Sequence, residues 1–154
     1  MKLNKEKIIS LLIPLTGGFI SGLLAMGGIR EFDSLVKPIL SPPGFIFPIA
    51  WTIFYALMGI GSYLIYKENN YYSGCCLKIY LINLFVNFLW TPLFFGLNLR
   101  LFSFIWILLL DIVIIYMIIC YYKVNKKAAY LQIPYLLWSL FATYLNLAFY
   151  ILNR

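Results

Sequence analysis

The sequence predicts an all-α integral membrane protein: a bundle of five transmembrane helices forming one domain over residues 1–154. Three observations lead there. The chain is 64% hydrophobic and only 11% charged, where a soluble domain carries about 25% charged residues, so it has too little charge to cover a surface in water. Apolar runs of about 20 residues, the length that crosses a bilayer as a helix, recur along the chain. The charges sit at the ends of those runs, as topology signals do. They form no basic patch among polar residues, so the net charge of +7 gives no footing for a nucleic-acid partner.

The five runs are Ile8 to Ile29, Gly44 to Tyr66, Leu77 to Asn98, Leu101 to Tyr122 and Ala128 to Leu152. The first follows Lys2, Lys5 and Lys7, as a signal peptide would. Its apolar stretch is too long for one and no A-x-A site follows, so it is expected to stay as a helix. Between the third and fourth runs only Leu99–Arg100 remains, which makes those helices antiparallel neighbours. The longest link, Arg30 to Pro43, holds Pro38, Pro42 and Pro43, which restrict its backbone and oppose helix. It reads either as a lid over the bundle or as a plain connector.

Charge sets the expected orientation. The N-terminal side carries Lys2, Lys5, Lys7, Lys67, Lys78, Lys123, Lys126 and Lys127, against Arg30, Lys37, Arg100 and Arg154 opposite. An excess of cations marks the cytoplasmic side, so the N-terminus is expected inside and the C-terminus outside a bacterial-type cell membrane.

Small residues crowd the first run, and Gly18 and Gly22 form a GxxxG pair that lets helices approach closely, within the monomer or at a dimer seam. Pro14, Pro92 and Pro134 fall inside apolar runs and are expected to kink their helices. Cys75, Cys76 and Cys120 show no CxxC spacing and read as unpaired apolar side chains. Without histidine, a zinc or haem site of the usual residues is not expected.

Two features carry functional weight. Asp111 is the one acid deep in a span, either a functional group or a hydrogen-bonded contact between helices. Aromatic stripes recur at helical spacing: Phe47, Trp51, Tyr55 and Met58 on the second helix; Asn83, Asn87, Trp90 and Phe94 on the third; Tyr135, Trp138, Ala142, Leu145 and Phe149 on the fifth. Turned inward together they build either an aromatic-walled pocket for a planar apolar guest or an ordinary packed core. Leu147, Tyr150 and Arg154 fit a loose cholesterol-contact pattern, equally well explained as a boundary tyrosine beside a snorkelling arginine. No triad, nucleophile elbow or phosphate-binding loop is present.

Three blocks resemble the TspO/translocator-protein (TspO/MBR) family, also called the peripheral benzodiazepine receptor or tryptophan-rich sensory family. They are KPILSPPGFIFPIAWTIFYALMGIGSYLIY from Lys37, NFLWTPLFFG from Asn87 with Asp111 in the next helix, and PYLLWSLFATYLN from Pro134. The resemblance implies a five-helix bundle with a ligand pocket opening toward the first loop. Implied guests are protoporphyrin IX or a related tetrapyrrole, or another planar apolar small molecule; no bound cofactor is required. The implied ligand-binding residues are Trp51, Trp90, Trp138, Ala142 and Leu145, with Asn87 and Asn146 as polar positions; Phe47, Tyr55 and Phe94 join them from the aromatic stripes. Pro42 and Pro43 match the loop-to-helix junction. Some bacterial relatives promote light-dependent porphyrin breakdown through tryptophans matching Trp51 and Trp138, which would make those two the catalytic pair. Relatives carry first-loop tryptophans where this chain has Glu31 or Phe32 and Ile39–Leu40.

The expected function is a membrane tetrapyrrole-binding sensor or translocator. A light-dependent porphyrin-degrading protein and a small-molecule transporter stand as alternatives. Expected partners are membrane lipid, the planar guest and, by resemblance, a second copy in a homodimer. Propionates of a bound porphyrin are expected near Arg30 or Lys37.

Overall fold

The computed structural model describes residues 5–28, 32 and 34–154. Arg30, Glu31 and the expected role of Arg30 toward propionates lie outside the described residues. Five helices are long and apolar enough to cross a membrane, and the protein is a multi-pass membrane protein.

Helix α1 covers Lys5–Ala25 and ends in a tight turn, Met26–Gly28. Helix α2 covers Ile46–Glu68, and α3 covers Ser73–Thr91 before widening into a π-helical turn, Pro92–Gly96. Helix α4 covers Arg100–Val124. A short helical turn, Lys126–Tyr130, then leads into α5, Ile133–Leu152. The ends differ from the sequence-based spans by a few residues, chiefly because α3 begins at Ser73 and not at Leu77.

Asparagine shapes both turns at the lysine-rich end. Asn69 ends α2 in the left-handed conformation that asparagine tolerates. The side-chain oxygen of Asn70 takes the amides of Tyr72 and Ser73, groups that α3 leaves unpaired. Asn125 accepts from the amide of Ala128 and donates to Glu68 at 2.6 Å, tying the α4–α5 turn to the end of α2.

The prolines act differently from one another. Pro14 lies inside α1. Pro92 marks where α3 opens into the π-turn, closed by the bond from the Leu97 amide to the Pro92 carbonyl. Pro134 does not interrupt α5: it sits in the first turn, where the missing N–H costs nothing.

The cysteine expectation is corrected. Cys76 and Cys120 form a disulfide with 5.6 Å between their Cα atoms, while Cys75 is free and exposed. The reason is topological. Because α3 and α4 run antiparallel, a residue early in α3 and one late in α4 fall at the same depth.

Helix α1 packs on α2, α3 on α4, and α4 on α5. The first loop is strapped to the far end of α5. Asn153 exchanges two hydrogen bonds with the Val36 backbone at 2.9 and 3.0 Å, and the Tyr144 hydroxyl donates to the Ile39 carbonyl at 3.0 Å.

Candidate functional site

A cavity of about 840 Å³ lies between α1 and α2 and reaches the π-turn of α3. Its inner wall holds Phe47, Trp51 and Tyr55 from α2, with Phe32 and Phe95 beside them. Its outer wall is the small-residue face of α1, with Gly18, Gly22 and Ala25. Phe19, Leu23, Met26 and Phe45 stand at its rim and are exposed, so the cavity opens sideways onto the lipid-facing surface. The size falls within the range of small-molecule sites, about 300–1,000 Å³.

The two glycines of the GxxxG pair do different jobs. Gly18 lies so close to the Tyr55 ring that no Cβ fits there without moving it. A Cβ on Gly22 meets nothing within 4 Å and projects into open space. Close packing at the first therefore leaves a hollow at the second, one turn on.

The Trp51 indole is buried at the wall. It stacks on Tyr55 at 5.9 Å between centroids and tilts against Trp90 at 5.6 Å. Its Nε1–H has no partner within the protein. The atom is closed off from the cavity as well, and a buried donor left unpaired costs about 1–3 kcal/mol.

Most other sequence-selected residues meet one another behind this wall. Trp90 stacks on Phe94 at 5.7 Å, and its Nε1 donates to Asn146 at 3.4 Å. Asn146 also accepts from Ser103 at 3.2 Å and donates to the Ala142 carbonyl at 2.8 Å. Phe149 closes against Phe32 and Phe94. Asn87, Trp90, Phe94, Trp138, Ala142, Leu145 and Asn146 do not line the cavity; apart from the half-buried Trp138, all are buried. Where α2, α3 and α5 converge, rings fill the space. Trp138 is screened from the cavity by Phe47 at 6.0 Å, and it also touches Phe54 at 5.9 Å. Pro42 and Pro43 lie in the loop just before α2 and are not part of the lining, although Gly44 is.

A polar chain runs beneath the cavity floor. The Tyr55 hydroxyl donates to Asn87 at 2.7 Å, the Asn87 amide donates to the Tyr135 hydroxyl at 2.8 Å, and Tyr135 donates to Asn83 at 3.1 Å. It joins α2, α3 and α5 inside the membrane, where an unpaired polar group is costly. Asp111 is separate: its carboxyl oxygens accept from Ser139 at 2.6 Å and Thr143 at 2.7 Å, linking α4 to α5.

Sequence reasoning missed the contribution of α1, and it missed Phe32 and Phe95. The signal for α1 was present in its small residues, which read only as a packing face. Phe32 stands in the loop where a tryptophan was absent, yet its ring is buried against Phe47, Phe94, Phe95 and Phe149.

Comparison with known proteins agrees with this architecture. The profile of the TspO/MBR family matches residues 10–152. The Tryptophan-rich protein TspO of Archaeoglobus fulgidus is 37% identical over 148 residues, 95% of each chain. The Translocator protein of Ovis aries is 37% identical over 88% of this chain and 82% of its own. The Tryptophan-rich sensory protein of Cereibacter sphaeroides is 32% identical over 75% of this chain and 72% of its own. A membrane bundle of five helices, with matches running nearly its whole length, belongs to the TspO/MBR family.

Proposed function

We propose that this protein is a membrane sensor or translocator that binds a planar, apolar tetrapyrrole, such as protoporphyrin IX, in the cavity between α1 and α2. One observation carries the reading: an apolar hollow of about 840 Å³ is walled by the rings of Phe47, Trp51 and Tyr55. The macrocycle lies against the rings of Phe47, Trp51 and Tyr55. Lys37, exposed on the first loop, is the described cation toward which propionates turn. The names of the relatives, a sensory protein and a translocator protein, fit binding coupled to signalling or movement. The lysine-rich end faces the cytoplasm of a bacterial-type membrane in this reading, with the C-terminus outside.

Binding is preferred over light-driven breakdown because only Trp51 of the two tryptophans expected to act reaches the cavity. It is preferred over proton-coupled transport because Asp111 is satisfied by Ser139 and Thr143, away from the cavity. The test is titration of purified protein with protoporphyrin IX, read by tryptophan fluorescence. Saturable quenching that weakens severalfold in Trp51→Phe supports the reading. Absence of saturable quenching in the wild type refutes it. Illumination of the complex separates the enzyme alternative: a Soret band that decays no faster than that of free porphyrin removes it.

A further inference from the structure

Away from that cavity, α3 and α4 form a second groove of about 400 Å³. It is lined only by apolar and aromatic residues: Ile79 and Ile82 from α3, and Ile112, Val113, Ile115 and Tyr116 from α4. Most of these side chains are exposed, as on any lipid-facing surface. What sets this groove apart is what stands at one end of it.

On α4, Ile112, Tyr116, Ile119 and Lys123 follow one another at intervals of four, three and four residues, so they form one stripe on one face. On α3, Lys78 lies one turn from Ile82, beside the same groove. Both lysines are exposed, and neither has an acidic partner among the described residues. Among the described residues the lysine-rich end carries two acids, Glu6 in the first turn of α1 and Glu68, which is engaged by Asn125. Ile112 lies about 16 Å from Lys123 along the helix axis. That is close to the depth of one leaflet, about half of a hydrocarbon core roughly 30 Å thick. Cys76 and Cys120 are bonded between the same two helices near these lysines, so the pair that forms the groove is covalently joined at its charged end.

We propose that this groove holds one anionic phospholipid, its phosphate held by Lys78 and Lys123 and an acyl chain lying along Ile82, Ile112 and Tyr116. Charge complementarity and length together select this occupant. A zwitterionic lipid brings its own cation beside the phosphate and so leaves the charge of the two lysines without net neutralisation. A second copy of this chain would bring its own Lys78 and Lys123 toward them. Basic clusters between transmembrane helices recognise anionic headgroups in this way.

The test is native mass spectrometry of the full chain with dioleoyl phosphatidylglycerol and with dioleoyl phosphatidylcholine. The wild type should retain one phosphatidylglycerol with about thirtyfold preference, the value expected for two cations at a membrane surface. The double variant Lys78→Gln/Lys123→Gln should lose that preference. Lys67→Gln/Lys127→Gln, which removes the same charge from the same end but off the groove, should keep it. Ile112→Trp, which fills the groove with both lysines intact, should lower retention. Equal retention of both lipids by the wild type overturns the proposal. So does equal loss in the two lysine pairs, which would mean diffuse attraction, or a two-chain species that excludes the lipid. A melting temperature of wild-type protein raised by phosphatidylglycerol and not by phosphatidylcholine supplies a readout independent of how the variants fold; no difference counts against the site.

Discussion

The Tyr55 hydroxyl donates to the Asn87 side-chain oxygen across 2.7 Å, while the Tyr55 ring forms part of the cavity wall. One side chain therefore belongs both to the site and to the polar chain that joins α2, α3 and α5. Tyr55→Phe keeps the wall and removes the bond, which should cost about 1 kcal/mol, in line with hydrogen bonds between membrane helices. Asn87→Leu breaks its bonds to both tyrosines and should cost about 2 kcal/mol. Thermal melts in detergent check the order; equal losses would contradict a shared network.

Helix α1 supplies the hollow through Gly22. Gly22→Phe should fill the cavity without disturbing packing, since its Cβ direction is open. Protoporphyrin quenching should weaken by at least about tenfold, as expected when a ring-sized volume is taken from an apolar site, with the melting temperature nearly unchanged. Gly18→Ala should do the reverse and lower stability by about 1–3 kcal/mol, the cost of overpacking against Tyr55.

Asp111 is read as a bridge between helices and not as part of the ligand site. Asp111→Asn keeps an acceptor for Ser139, while Thr143 can donate to the Ser139 carbonyl at 3.0 Å and accept from the new NH2, so the cost should stay at or below about 1 kcal/mol. Porphyrin quenching should stay the same. A variant that melts normally but loses quenching would show that Asp111 acts on the guest.

The cysteines predict a labelling pattern. Of three cysteines, only Cys75 should react with maleimide in the unreduced protein, and all three should react after reduction and denaturation. Replacing Cys76 and Cys120 together by serine should lower stability by up to about 4 kcal/mol for the 44-residue separation. The loss should be smaller if the unfolded chain remains held by the bilayer.

The five helices were legible because hydrocarbon imposes one rule on every span: enough apolar residues, wound so that all backbone groups pair. Phe47, Trp51 and Tyr55 were legible because their spacing places them on one face of α2. The site as a whole was not, because periodicity says that a face turns inward without saying how much room it finds there. The stripe of Trp90 and Phe94 meets other rings and fills its space, whereas that of Trp51 meets the bare face around Gly22. The disulfide was hidden for a related reason: Cys76 and Cys120 become neighbours only once α3 and α4 are laid side by side. Pro134 misled because a proline inside an apolar run looks the same whether it falls in a helix interior or in a first turn.

The strap between Asn153 and Val36 holds the first loop against α5, whereas the mouth between α1 and α2 is edged mainly by apolar side chains, with Thr52 among them. A guest entering through that mouth should come from the bilayer and not from water. Loading should then follow the number of guest molecules per lipid. Empty vesicles added at constant porphyrin should unload the protein by dilution, and porphyrins with the same ring but greasier substituents should load it in step with their oil–water partition coefficients.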